Sequence, residues 1–188
     1  MAKARLAPGV IGALLLAACG GTHGTQSAAT SASVASSSAS RVAPAIATVG
    51  ELAPAWSGPA LGGGTLSSTS FHGKPVYLNF FASWCEPCND EASTIEALSK
   101  KYAASGVTVV GVDVEENAAK AGGFARAHGI TYPIVVDSGS MRDAYGVNGL
   151  PQHVFIDRRG VVHDLVPGEM DAADIEAQLK AIATPFGA

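Results

Sequence analysis

Cysteine is scarce in this 188-residue chain: three in all. Cys85 and Cys88 stand two residues apart, and Cys19 lies far upstream. A closed tetrahedral metal site needs four ligands at short spacing. His72, His128, His153 and His163 are scattered singly, so the pair has no companion ligands and neither metal nor cofactor is expected. Positive charge is also in short supply. Twelve Lys and Arg face sixteen Asp and Glu, a net charge of −4, which argues against nucleic acid as a partner. No apolar run reaches the roughly 20 residues that a membrane-spanning helix takes, and no internal repeat or second domain is visible.

What is present is Asn79-Phe80-Phe81-Ala82-Ser83-Trp84-Cys85-Glu86-Pro87-Cys88, an apolar run that delivers two cysteines to the start of a helix. A thiol attacks a disulfide only as the thiolate, and the unpaired N–H groups of a helix N-terminus favour that anion. Cys85 is placed to react first. Cys88, one turn further on, is placed to resolve the mixed disulfide. Half of a zinc site and a purely structural disulfide are the bland readings of such a pair; the first lacks ligands, and so short a loop gains the second little entropic stabilisation.

The first 18 residues carry Lys3 and Arg5, then an apolar run ending Leu16-Ala17-Ala18-Cys19. This is the pattern of a secretory leader, and its ending resembles a bacterial lipobox. That resemblance implies cleavage before Cys19, a lipid on Cys19, and a protein held outside the cytoplasm on a bacterial membrane; an ordinary leader cut after Ala18 would instead leave an odd free thiol. Residues 19–49 are rich in Ser, Ala, Thr and Gly and predict a flexible tether. Residues 50–188 are of ordinary size for one compact domain, and nothing suggests more than a monomer.

Within that domain, Lys74–Phe81 and Val107–Asp113 read as buried parallel strands, with an amphipathic helix between them marked by Ile95, Leu98 and Tyr102 and ended by Gly106. A helix over Asn117–His128, an apolar run at 133–136 and a short helix at 141–145 follow. His153–Asp157 and Val161–Leu165 form a predicted antiparallel hairpin around Arg158-Arg159-Gly160, and a last helix starts near Asp171. This order is that of an α/β thioredoxin-like fold, a central mixed sheet flanked by helices.

The chain resembles the TlpA/ResA-type membrane-anchored thiol–disulfide oxidoreductases. The likeness runs from Leu52-Ala53-Pro54 through Phe71-His72-Gly73-Lys74-Pro75 and Trp84-Cys85-Glu86-Pro87-Cys88 to Tyr145-Gly146-Val147-Asn148-Gly149-Leu150-Pro151 and Phe155-Ile156-Asp157. Residues 115–136 match an insertion that this group carries. The resemblance implies that Pro151 is a cis-proline facing the cysteines and that the backbone of Leu150 pairs with an extended substrate strand. An ordinary turn proline is the alternative. Leu150 itself departs from the Thr or Val of many relatives. Trp84, Glu86 and Pro87 complete the substrate-facing surface, although Trp84 would also serve as core filler.

Two acids bear on the redox direction. Glu86 lies between the cysteines and Glu91 three residues after Cys88, where some family members carry a glutamate that influences the thiols. Negative charge disfavours the thiolate, destabilises the reduced form and makes a better reductant. Acids in a first helical turn also favour the helix dipole, which is the plain structural reading. Asn79 occupies the place where many thioredoxins bury an acid, so Glu91 is the candidate proton acceptor. The implied function is reduction of disulfides in exported proteins, apocytochrome c among them, with a membrane protein as electron donor. Oxidative protein folding by the same fold is the alternative. A copper-binding assembly chaperone is a more distant one, since those relatives space their cysteines by three. The peroxidase pattern, with Pro seven and Thr or Ser three residues before the cysteine, is replaced here by Leu78 and Ala82.

Overall fold

The structure, a computed structural model, describes residues 46–184; the leader, Cys19 and most of the tether lie outside the described residues. A small hairpin, β1 (Ser57–Pro59) with β2 (Thr65–Ser67), comes first. The main chain then runs β3 (Val76–Phe81), α1 (Glu86–Ala103), β4 (Thr108–Val114), α2 (Ala118–Ala127), β5 (Ile134–Asp137), α3 (Ser140–Ala144), β6 (Gln152–Ile156), β7 (Val162–Pro167) and α4 (Ala172–Ala183). The sheet has the order β5-β4-β3-β6-β7. β3, β4 and β5 are parallel, β6 runs antiparallel to β3, and β7 runs antiparallel to β6.

β3 is buried at all six positions, as a central strand covered on both faces must be. Its side chains alternate. Tyr77 and Phe81 join the cluster of Ile95, Leu98, Phe124, Ile175 and Leu179 on the side of α1 and α4, while Leu78 and Phe80 join Val112, Met141, Tyr145 and Val154 on the other. Each fully buried side chain of this size contributes about 1.5–3 kcal/mol. Asn79, the one polar residue of β3, shares the Tyr77 face and so points toward α1.

Two glycines make close approaches possible. A Cβ on Gly111 would sit 3.0 Å from both Phe81 and Ile134, so the bare backbone of β4 lets those side chains close over it. A Cβ on Gly58 would meet Val135 at 2.6 Å, where the first hairpin lies against β5 through the Leu61 N–H to Ile134 carbonyl bond of 2.9 Å.

The helix ends follow the sequence. Asp171 accepts from the Asp174 N–H, Asn117 from those of Ala119 and Lys120, and Gly106 takes the left-handed conformation after α1. Glu176 on α4 accepts from Lys101 at 2.8 Å and Tyr102 at 3.0 Å, tying α4 to the end of α1.

Candidate active site

Cys85 is the N-cap of α1, and its Sγ accepts the Cys88 N–H at 3.3 Å. Pro87 fits the first turn because an N–H there would be unpaired anyway. Cys85 and Cys88 are joined as a disulfide, with Cα atoms 5.2 Å apart. Both are buried, at 4% and 2% exposure, whereas Trp84 beside them is 70% exposed. Trp84 is therefore a surface residue at the rim and not core filler. Glu86 is exposed in the first turn of α1.

The Leu150–Pro151 bond is cis. Gln152, next in the chain, pairs with Phe80 across the sheet, which brings Pro151 to the same edge as the loop leaving β3 for Cys85. Leu150 is half-buried and packs against the cluster that contains both cysteines. Trp84, Glu86, Pro87, Leu150 and Pro151 are thus gathered at one end of the sheet around the disulfide.

Beneath the pair, α1 buries two glutamates in contrasting surroundings. Burial pushes the Glu96 carboxyl up, but Lys100 at 2.8 Å and two bonds from Thr131, at 2.6 and 2.9 Å, more than offset this and hold it below its usual range. Glu91 has only long contacts, 3.3 Å from Asn79 Nδ2 and 3.4 Å from the Met170 N–H. Its burial therefore wins, and its pKa rises to about 7. Glu96 is a structural anion; Glu91 is poised to gain or lose a proton at neutral pH.

His153 lies opposite Asn79 in the sheet and is fully buried. Its Nε2 is 3.0 Å from the Gly168 carbonyl and its Nδ1 2.7 Å from the Tyr77 hydroxyl. A carbonyl only accepts, so Nε2 carries the proton, and Nδ1 accepts from Tyr77. The neutral ring is then fully satisfied. Burial lowers its pKa to about 4. Although its Nε2 comes within 3.6 Å of Glu91, this is a neutral imidazole beside a carboxyl and no ion pair at pH 7.

The loop entering Cys85 is held from both sides. The Glu116 carboxylate accepts from the Ser83 N–H at 2.6 Å and the Ser83 hydroxyl at 2.7 Å. Asn89 donates to the carbonyls of Cys85, at 2.7 Å, and Ser83, at 3.3 Å. Sequence reading overlooked Ser83, Asn89, Asp113, Glu116, Tyr77 and His153. A signal existed for two of them, since Asp113 and His153 are polar residues set in otherwise apolar strands. Among the described residues, no group of three or more His, Cys, Asp or Glu could hold a metal ion.

Residues 49–165 match the family model described as AhpC/TSA. The thiol–disulfide oxidoreductase ResA of Geobacillus thermodenitrificans is 37% identical over 115 residues, 61% of this chain and 66% of that one, just under two thirds of its length. Its counterpart from Bacillus thuringiensis (strain Al Hakam) is 32% identical over 135 residues, 71% of this chain and 78% of its own. Among solved structures, a thioredoxin-family thiol:disulfide interchange protein from Chlorobium tepidum superposes with a TM-score of 0.67 at 30% identity, covering 71% of this chain and 97% of that one.

Proposed function

We propose, from the premise that this chain belongs to the AhpC/TSA family and is a thiol–disulfide oxidoreductase, that it works outside the cytoplasm as a reductant of disulfides in exported proteins. The observation that carries the direction is the company Cys88 keeps on α1. Oxidising exchange enzymes stabilise their thiolate with positive neighbours. Here the ionisable groups that α1 carries nearest the pair are the Glu91 carboxyl, one turn after Cys88, and Glu86 at the helix start, and the histidine beside Glu91 is held neutral. A poorly stabilised thiolate raises the free energy of the reduced form and lowers the reduction potential.

In the forward cycle, the Cys85 thiolate attacks one sulfur of a partner disulfide and expels the other as a thiolate. Glu91, as carboxylate, accepts the Cys88 proton. The Cys88 thiolate then attacks the Cys85 sulfur, expelling the partner's second thiolate and closing the Cys85–Cys88 disulfide. Two electrons from a membrane donor protein reset the pair. An extended substrate strand pairs with the backbone at Leu150, ahead of Pro151, and Trp84, Glu86 and Pro87 line its path. The CxxCH segment of apocytochrome c is a substrate of the right chemistry.

Equilibration with defined thiol buffers tests the direction. A midpoint near or below the thioredoxin value of roughly −270 mV is expected, and one near −120 mV would reassign the protein to oxidative folding. The lipid on Cys19, the cleaved leader of residues 1–18, the tether of residues 19–49 and the catalytic domain of residues 50–188 belong to the same reading. Metabolic labelling with a fatty-acid analogue is expected to tag the protein and to fail in Cys19→Ala; labelling that persists in Cys19→Ala, or is absent in the parent, would refute the anchor.

A further inference from the structure

On the same sheet face as Asn79, and paired with the last residue of β3, lies a second acid that nothing in the exchange chemistry uses. Asp113 sits near the end of β4, paired with Phe81 of β3 and Val136 of β5, and is fully buried. No donor reaches either of its carboxyl oxygens. The polar group that does approach is another carboxyl, that of Glu116, whose two oxygens are the ones that hold the Ser83 N–H and hydroxyl. Two carboxyls can be hydrogen-bonded to each other only with a proton between them.

The backbone is bent to make this meeting. Glu115 has a φ of +58°, in the left-handed region that a residue other than glycine seldom occupies. It is held there by its N–H on the Asp137 carbonyl at 3.0 Å and by its side chain on Arg142. That reversal immediately after β4 turns Glu116 back toward Ser83. Strain of this kind persists where the surroundings over-determine it, and it clusters at functional sites.

We propose that Asp113 and Glu116 form a one-proton pair that positions the Cys85 loop, Asp113 holding the proton and donating it to the Glu116 carboxylate so that Glu116 keeps both oxygens on Ser83. Loss of that proton sets two anions side by side at the end of β4. Their repulsion parts them and frees Ser83, two residues from Cys85. Both Asp113 and Glu116 are positioning residues, acting through Ser83.

Burial, with Glu116 beside it, raises the Asp113 pKa to about 7, so the clamp is closed below neutrality and opens above it. The other titratable and charged groups around the loop are accounted for. Glu115 pairs with Arg142, His128 on α2 bonds Asn89 at 2.9 Å, and Lys120 lies along the surface groove next to Ser83. None donates to Asp113.

The proposal deepens the exchange reading, resting on Cys85 as the attacking sulfur, but its test does not depend on that assignment or on direction. Trp84 adjoins Ser83 and is exposed, so its fluorescence reports the loop. In the full oxidised chain carrying Trp56→Phe and Glu91→Gln, which remove the second indole and the other neutral-pH acid, emission is expected to titrate with a midpoint near pH 7. Asp113→Asn, whose amide donates to Glu116 at every pH, is expected to abolish that inflection. Persistence of the inflection in Asp113→Asn, or its disappearance in His128→Gln, would overturn the proposal. Should the asparagine variant not fold, the carboxyl carbon-13 shift of Asp113 in the parent decides: a midpoint at least two pH units above the usual Asp value supports the pair, and an ordinary midpoint refutes it. An oxidising potential would sink the reductase reading and leave this result standing.

Discussion

Cys88→Ser is expected to turn the protein into a trap. Cys85 caps α1 from outside its first turn, next to the exposed Trp84, while Cys88 lies inside the helix on its buried face. The incoming disulfide therefore meets Cys85 first, and without Cys88 the mixed disulfide has no internal route to resolution. Covalent adducts through Cys85 should accumulate in the native host, reducible by dithiothreitol and identifiable by mass spectrometry. Cys85→Ser should form none and should lower exchange with a model disulfide by at least about 10⁴-fold, the order of loss seen when a covalent nucleophile is removed. The opposite result, adducts only in Cys85→Ser, would reverse the order of attack.

Glu91→Gln is expected to slow resolution of the mixed disulfide by about 10²-fold at pH 8, within the range of general acid–base catalysis, and far less at pH 5.5. The sign follows from the raised pKa of about 7. Above that pH the parent carboxylate accepts the Cys88 proton; below it the carboxyl is already protonated and no better than glutamine. Stopped-flow decay of a preformed mixed disulfide at the two pH values measures the difference, and equal slowing at both would assign Glu91 a structural role.

Stability must move as well. Between the usual 4.5 and about 7 the folded chain binds the Glu91 proton more tightly than the unfolded chain does. The associated stability is full below pH 4.5 and is lost as pH climbs through 7. The fall in unfolding free energy from pH 5 to pH 8 should therefore be smaller in Glu91→Gln by about 1–3 kcal/mol, read from urea denaturation. Asp113 acts in the same sense, and His153, lowered to about 4, acts in the opposite sense as pH falls below 6.5. The comparison of variant with parent cancels both.

The parts of this molecule legible in its sequence are those set by local chemistry. Asn117 and Asp171 announce helix starts because their side chains bond their own first turns. The apolar run through Phe80 and Phe81 announces a two-sided strand because nothing polar could survive there unpaired. Resemblance supplied Glu91 and Pro151, which local patterns alone would have left as a helix acid and a turn proline. Asp113 and His153 stood out only as polar residues in apolar strands; their roles, like those of Tyr77 and Glu116, could not be read, because they depend on contacts between segments far apart in the chain. His153 meets Asn79 across 74 positions, and Ser83 meets Glu116 across 33. The three-residue strands of the first hairpin are likewise too short, and too rich in Gly and Pro, to show a period of two.

The burial of both cysteines has a kinetic meaning. With only 4% and 2% of their surfaces exposed, the bonded residues offer small thiols and oxidants in solution almost no collision cross-section. On the proposed reading, a partner chain that seats itself against the rim of Trp84 and Leu150 brings its own sulfur inward and is favoured over such small reagents. Exchange with a docked chain is then expected to outpace exchange with the ambient redox buffer, which equilibrates with the pair slowly.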